Sequence, residues 1–184
     1  MKSLNIKQIF QLFLAIAITV VIIRTFFIDS FIVKGDSMAP TILSGDYVFV
    51  DKFFHHFMAF KREDIIVVKP RSVSSRIIKR IIGLPEERIE ITGDKVLVKN
   101  GRQDQGKTLS EEYLNLLALP VGLATSTIGL DKIQLDIKEY FVLGDNRYVS
   151  IDSRELGPVD EWNIAGRVFL VLKSKYFYLS FFFL

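Results

Sequence analysis

From Ile9 to Ile28 the chain is apolar at almost every position, interrupted only by Gln11, Thr19, Arg24 and Thr25. A helix rises about 1.5 Å per residue, so a run of this length spans roughly 30 Å, the thickness of a bilayer core. Ahead of it, Met1 to Gln8 is short and polar and carries Lys2 and Lys7. Arg24 lies near the far end, where a long side chain can snorkel to the headgroups. A cleavable leader would have a shorter apolar stretch closing on two small residues. This one exits through Phe26, Phe27, Ile28 and Asp29, and Ala15-Ile16-Ala17 sits deep inside it. A buried core helix usually shows a polar stripe, and none is visible. The pattern predicts a short cytoplasmic N-terminus over residues 1–8, a single transmembrane anchor over 9–28, and an extracytoplasmic domain over 29–184. The orientation rests on a small excess of positive charge before the anchor, Lys2 and Lys7 against Arg24 and Lys34.

Beyond Asp29 the period shortens. Tyr47-Val48-Phe49-Val50, Ile65-Ile66-Val67-Val68 and Ile77 to Ile82 are short β-branched or aromatic runs bounded by Gly, Asp or Pro. Lys95 to Lys99 alternates cleanly and runs into Asn100-Gly101, a strong hairpin signal. Phe141-Val142-Leu143 and Val168 to Leu172 predict two more strands. Only Leu109 to Leu119 has helical spacing outside the anchor, with Leu109, Tyr113, Leu116 and Leu117 on one face and Pro120 as its stop. The C-terminal Tyr176 to Leu184 is aromatic but too short to span a bilayer. It fits a last core strand, the reading preferred here, or an interfacial patch. The domain after the anchor is therefore mainly β.

Composition narrows the chemistry. The 184 residues are 49% hydrophobic and 24% charged, which excludes a disordered chain. A mean hydropathy of +0.30 agrees with a membrane-attached domain. The net charge of +3 is too small to argue for nucleic acid. The absence of cysteine excludes disulfides, thiolate metal sites and a thiol nucleophile. The two histidines, His55 and His56, are adjacent, and neither an acid nor a ligand pattern surrounds them. They suit a loop near the lipid surface, and no metal or other cofactor is expected.

Three clusters remain: Gly35 to Thr41, Lys79-Arg80 followed by Gly83-Leu84-Pro85, and Gly144 to Arg154. Alternation in a strand places Lys79 with Ile77 and Ile81, and Arg80 with Ile78 and Ile82. If both faces are covered, a cation sits in an apolar setting. Burial disfavours a charged ammonium and moves lysine toward a neutral amine able to accept a proton. Arginine cannot do this, because it does not deprotonate. The plainer alternative is a lysine snorkelling from an edge strand. Ser37 could equally belong to an ordinary turn rich in Gly, Asp, Ser and Pro, and it is not in a G-x-S-x-G elbow. With no histidine base or cysteine nucleophile in view, serine activated by lysine is the main nucleophilic chemistry left.

In this order behind an anchor, the clusters resemble the bacterial type I signal peptidases. Gly-Asp-Ser-Met-x-Pro-Thr around Ser37 is similar to the family's nucleophile box, and Arg62-Glu63-Asp64-Ile65-Ile66-Val67 to its Arg-Gly-Asp-Ile-Val-Val strand. Lys79 to Pro85 matches the lysine box, and Gly144 to Arg154 matches Gly-Asp-Asn-Arg-x-x-Ser-x-Asp-Ser-Arg. The resemblance implies a signal-peptidase/LexA-like antiparallel β-sheet catalytic domain with one N-terminal transmembrane helix. It leaves Arg102 to Lys138, a variable insertion, and the C-terminal tail unmatched.

What the resemblance implies is carried over by position. Ser37 would be the nucleophile and Lys79 the general base, with Ser150 hydrogen-bonding the amine. Asp152 and Arg154 would form a supporting ion pair, and Asp145 and Arg147 would brace the same loop. Met38 and Ile78 would contribute to substrate pockets. Three positions depart from the family: Gly35 stands where some members carry a serine that helps bind the oxyanion, Glu86-Glu87 replace a frequent Gly-Asp, and Glu155-Leu156-Gly157 keeps only the glycine of an aromatic-Gly pair. Oxyanion binding would then rest on backbone N–H groups, chiefly that of Ser37. The implied activity is removal of signal peptides from secretory preproteins after a small-x-small motif. The implied setting is the cell membrane, the bilayer itself being a partner and the enzyme a monomer. Two other readings share parts of the pattern. A self-cleaving repressor-type Ser-Lys protease would lack the anchor, and a tethered scaffold domain would not need Ser37, Lys79 and Ser150 together.

Overall fold

The computed structural model describes residues 5–53, 57–71, 75–92, 95–101, 104–114 and 132–174. The apolar run forms helix α1, Ile6–Phe26, with no residue buried against the domain. It is long and apolar enough to cross a membrane, with a mean hydropathy of 2.3. Its end is tied down: Phe27 N–H donates to Ile23 O (2.9 Å), Lys52 Nζ to Thr25 O (2.8 Å) and Arg24 Nη2 to Ser30 Oγ (2.7 Å). The helix ends before Ile28, because Ile28–Ile32 is captured as strand β1 by pairing with β2, Tyr47–Asp51. An apolar run alone cannot show where helix gives way to strand.

The remaining strands are β3 (Ile65–Val68), β4 (Ile77–Gly83), β5 (Arg88–Thr92), β6 (Lys95–Lys99), β7 (Lys107–Thr108), β8 (Lys132–Gln134), β9 (Glu139–Leu143), β10 (Val159–Asp160) and β11 (Ile164–Leu172). A short helix α2, Ser153–Leu156, precedes β10. One antiparallel sheet runs β1-β2-β11-β3-β4-β9-β10 and a second runs β7-β6-β5-β8. The mainly β antiparallel architecture is as predicted, and every strand predicted within the described residues forms. Five strands go beyond the prediction, β5 among them, although Arg-Ile-Glu-Ile-Thr alternates as cleanly as β6 does. The Asn100-Gly101 signal does mark a change of direction, but β6 returns as β7 through a longer loop, with Val98 opposite Lys107. Asp104 organises it, accepting from Asn100 N–H (2.8 Å) and Gly106 N–H (2.9 Å). Of the predicted helix Leu109 to Leu119, Glu112–Leu114 is a single 3-10 turn, and residues 115–119 lie outside the described residues. So do His55, His56 and the aromatic tail.

Alternation sorts the central strands between three apolar clusters. Ile66, Val68, Ile77, Ile81, Tyr140 and Val142 enter one. Val67 and Ile78 join Val33, Met38, Ile42, Val48 and Val50 in a second. Ile82, Phe141 and Leu143 meet Ile89, Ile91, Val96, Val98 and Leu135 of the small sheet in the third. Strand β4 is thus covered on both faces, which is why its isoleucines come in adjacent pairs on either side of Lys79-Arg80 rather than alternating with polar residues. The consequence for function is that both of its cations are buried: Lys79 is 2% and Arg80 8% exposed.

Candidate active site

Ser37 stands in the turn between β1 and β2. Ala39 N–H donates to Asp36 O (3.1 Å) and Ile42 N–H to Met38 O (2.9 Å), and the Ala39-Pro40 peptide is cis. Buried Asp46 fixes the base of this loop. Its carboxylate accepts from Leu43 N–H (3.0 Å), Ser174 N–H (2.9 Å) and Lys173 Nζ (3.1 Å), and these donors hold it below the ordinary carboxylate range even though burial acts the other way.

From the middle of β4, Lys79 Nζ donates to Ser37 Oγ at 2.9 Å. Among the described residues the amine makes no ion pair. Burial pushes it down from the usual 10.5 to about 8; Asp152 and Asp145 pull it up, and Arg154 pushes it further down. The amine is therefore partly neutral in mildly alkaline water, and a neutral amine can take a hydroxyl proton. The snorkelling alternative does not apply, since β4 lies between β3 and β9 and has no free edge.

Arg80 has the opposite surroundings. Its guanidinium forks onto Asp145, with Nε to Oδ1 at 2.8 Å and Nη2 to Oδ2 at 2.6 Å. Asp145 thus pairs with Arg80, and Arg147 turns to Glu111 and to Gly144 O (Nε, 3.0 Å). Asp152 and Arg154 form an ion pair, Arg154 Nε to Oδ1 at 2.8 Å and Nη2 to Oδ2 at 3.0 Å. Asp152 also accepts from Gly144 N–H (3.0 Å), and Arg154 Nη2 donates to Arg147 O (2.8 Å), so the loop 144–154 closes around its own charges. Asn146 N–H donates to Ser37 O (3.0 Å), joining this loop to the serine turn. Ser150 Oγ, buried, has no hydrogen-bond partner among the described residues, so the bond to the lysine is not made in this structure. It lies across Gly144 from Ser37. A Cβ at Gly144 would come within 2.1 Å of Ser150 Oγ and 2.5 Å of Ser37 O, so no other residue fits between them.

A groove of about 550 Å³ opens beside Ser37. One wall is Asp29 to Ser37 and the other Ser75 to Ile78, and both Met38 and Ile78 line it. An ion pair joins the two walls, Arg76 Nη1 to Asp29 Oδ2 at 2.6 Å. Glu87, one of the departures, is buried and paired with Arg62 at 2.5 Å, while Glu86 takes a left-handed φ of 67° to make the turn.

Glu111 and Tyr113 were not visible as members of the site from the sequence, and Arg80 entered only as the neighbour of Lys79, without a role. Two successive cations in an apolar strand did call for a buried acid, which is a signal for Arg80. Nothing in the spacing points to Glu111 or Tyr113.

A serine hydroxyl thus meets a buried amine on an antiparallel β framework. The chain belongs to the signal peptidase family, peptidase S26, whose model matches residues 6–173. It is similar to signal peptidase I P of Bacillus subtilis subsp. natto, 36% identical over 166 residues that cover 90% of this chain and 88% of that one. Signal peptidase I of Bacillus licheniformis is also 36% identical, over 170 residues covering 90% and 89%. Among solved structures, a signal peptidase I from Enterococcus faecalis V583 superposes with a TM-score of 0.50 at 30% identity, covering 61% of this chain and 98% of that one. The protein is a hydrolase, a serine peptidase.

Proposed function

We propose that the protein is a membrane-anchored endopeptidase that removes signal peptides from secretory preproteins, with Ser37 as nucleophile and Lys79 as general base. The observation that carries this reading is the 2.9 Å contact between Ser37 Oγ and a lysine amine that is 2% exposed and lowered to about 8. The preprotein lies extended in the groove, adding a strand to the domain. Met38 and Ile78 line the pockets for the two small side chains, so selection works by excluding large ones. Neutral Lys79 takes the Ser37 proton as Oγ attacks the scissile carbonyl. The ammonium returns that proton to the leaving amine, and water activated by the same amine then opens the acyl-enzyme. Ser37 N–H has no hydrogen-bond partner among the described residues and is available to the oxyanion. Ser150 supplies the hydroxyl that orients the amine after small adjustments, and the Asp152–Arg154 pair supports the loop that carries it.

In this reading α1 spans the bilayer with the N-terminus inside and the β domain outside. The anchor raises the effective concentration of a preprotein held in the same membrane. The test is cleavage of a model preprotein by full-length protein in detergent. Ser37→Ala and Lys79→Ala are each expected to lose at least ~10³-fold activity, in line with removal of a nucleophile or its base, with the fold intact. Wild-type activity should rise through a limb near pH 8, where the amine loses its proton. Retained cleavage by either variant would overturn the assignment.

A further inference from the structure

The stretch 102–138, unassigned by the family boxes, contains the contacts that tie the small sheet to the catalytic loop. Strand β7 adds to the edge of β6, and Leu109 N–H donates to Val96 O (2.9 Å). Leu109 and Tyr113 then pack against the apolar cluster between the sheets. From this footing two polar groups reach the site. Glu111 takes Arg147 in an ion pair whose side chains are 7% and 3% exposed. Tyr113 Oη donates to Glu111 Oε1 at 2.5 Å, and its ring lies 4.1 Å from the guanidinium carbon of Arg80. Burial and the neighbouring Glu111 push the Tyr113 hydroxyl up, so it stays a donor.

Buried charges of this kind are costly unless every partner is in place, so they act as a unit rather than as separate contacts. The unit is continuous with both members of the catalytic pair. Arg80 follows Lys79 in β4 and holds Asp145; Arg147 holds Gly144 O; Asn146, between Asp145 and Arg147, holds Ser37 O. We infer that Glu111 and Tyr113 are positioning residues for the Ser37–Lys79 pair, a clamp that seats Arg147 and Arg80 and through them fixes Asp145, Gly144 and Asn146. The inference rests on the Ser-Lys reading above.

The clamp has an electrostatic consequence. Asp145 and Asp152 face the Lys79 amine with negative charge and Arg154 with positive, and Arg80 neutralises Asp145 from the adjacent position. The Tyr113 ring covers Arg80 and shields the Arg80–Asp145 pair from water. Without it the pair hydrates and loosens, Asp145 acts more strongly on Lys79, and water reaches the amine. Both changes favour the ammonium.

The test measures preprotein cleavage from about pH 6 to about pH 10, where a base of this kind titrates, for wild type, Tyr113→Leu, Tyr113→Phe and Lys79→Ala, all full-length in detergent. Tyr113→Leu should move the rising limb up by about one unit, losing roughly tenfold in kcat at neutral pH and recovering at the alkaline end. KM should hold. Tyr113→Phe keeps the ring over Arg80 and should return the limb toward wild type. If Tyr113→Leu does not fold, Tyr113→Met serves in its place. Glu111→Gln and Arg147→Met should each lower kcat, and together by less than the product of the two. A loss in Tyr113→Leu that is equal at every pH, or an unmoved limb, overturns the clamp, and independent effects of Glu111 and Arg147 remove Glu111 from it. Activity in Lys79→Ala would instead overturn the base assignment itself.

Discussion

Lys79 and Arg80 are neighbours on one strand, both buried, and their surroundings differ in a way that separates an amine with a lowered pKa from a fixed charge. Arg80 is forked onto a carboxylate and covered by an aromatic ring. Lys79 meets only a hydroxyl at hydrogen-bond distance among the described residues. The paired cation keeps its charge in the interior, because the Coulombic gain and two good hydrogen bonds offset desolvation. The one without an ion pair among the described residues is pushed toward the neutral form, because its loss of water outweighs the pull of Asp152 and Asp145. One strand therefore carries a permanent charge that organises a loop and, one residue earlier, an amine poised to move a proton.

The most disruptive way to break this contrast is to unpair Arg80. Asp145→Asn leaves a buried guanidinium without its counter-charge and should destabilise the protein by about 3–5 kcal/mol in urea unfolding. Adding Arg80→Met to that variant should recover part of the loss, since the unpaired charge is then gone. A cost no larger than that of a surface pair would show that the interior around Arg80 is wet.

A smaller effect of opposite sign is expected from removing the other charge. Lys79 titrates at about 8 in the folded chain and near 10.5 when unfolded. Between those values the unfolded state holds more protons, so wild-type stability rises with pH across that window. Below it the burial cost is present in full, about 3 kcal/mol at 1.36 kcal/mol per unit. Lys79→Met should therefore be inactive yet more stable than wild type by up to ~3 kcal/mol below pH 8, the gap closing toward pH 10.5. A gap independent of pH would show that packing, not charge burial, sets it.

The smallest effect belongs to the ion pair across the groove, which sharpens the comparison by its exposure. Asp29 and Arg76 side chains are 32% and 45% exposed. Water screens such a pair, so Asp29→Asn should cost less than ~1 kcal/mol and less again in high salt. A cost of several kcal/mol, unmoved by salt, would mean that this pair behaves as a buried one.

Much of this site could be read from residue order. Ser37, Lys79 and the loop from Gly144 to Arg154 were identifiable because each lies in a short run of residue types that resembles a family box. Covered faces on β4 were foreshadowed by paired isoleucines on either side of Lys79-Arg80, with no polar alternation. Partner choice outside the loop was not legible. Asp145 and Arg147 sit close enough in sequence to suggest one braced loop, yet each pairs with a residue from another strand or segment, Arg80 and Glu111. The end of α1 was misplaced by two residues, since Ile28 is as apolar in a strand as in a helix, and only β2 decides between them.

The sequence by itself determined the long apolar helix, the mainly β domain and the absence of thiol chemistry, because these depend on composition and local period. It also placed a lysine and a serine where a dyad could form. Only the tertiary structure decided that Lys79 makes no ion pair among the described residues while Arg80 does. It likewise decided that a segment without a motif reaches Arg147 and Arg80 through Glu111 and Tyr113. Pairing and desolvation are properties of the space around a group, and residues 34 to 65 positions apart in the chain create that space.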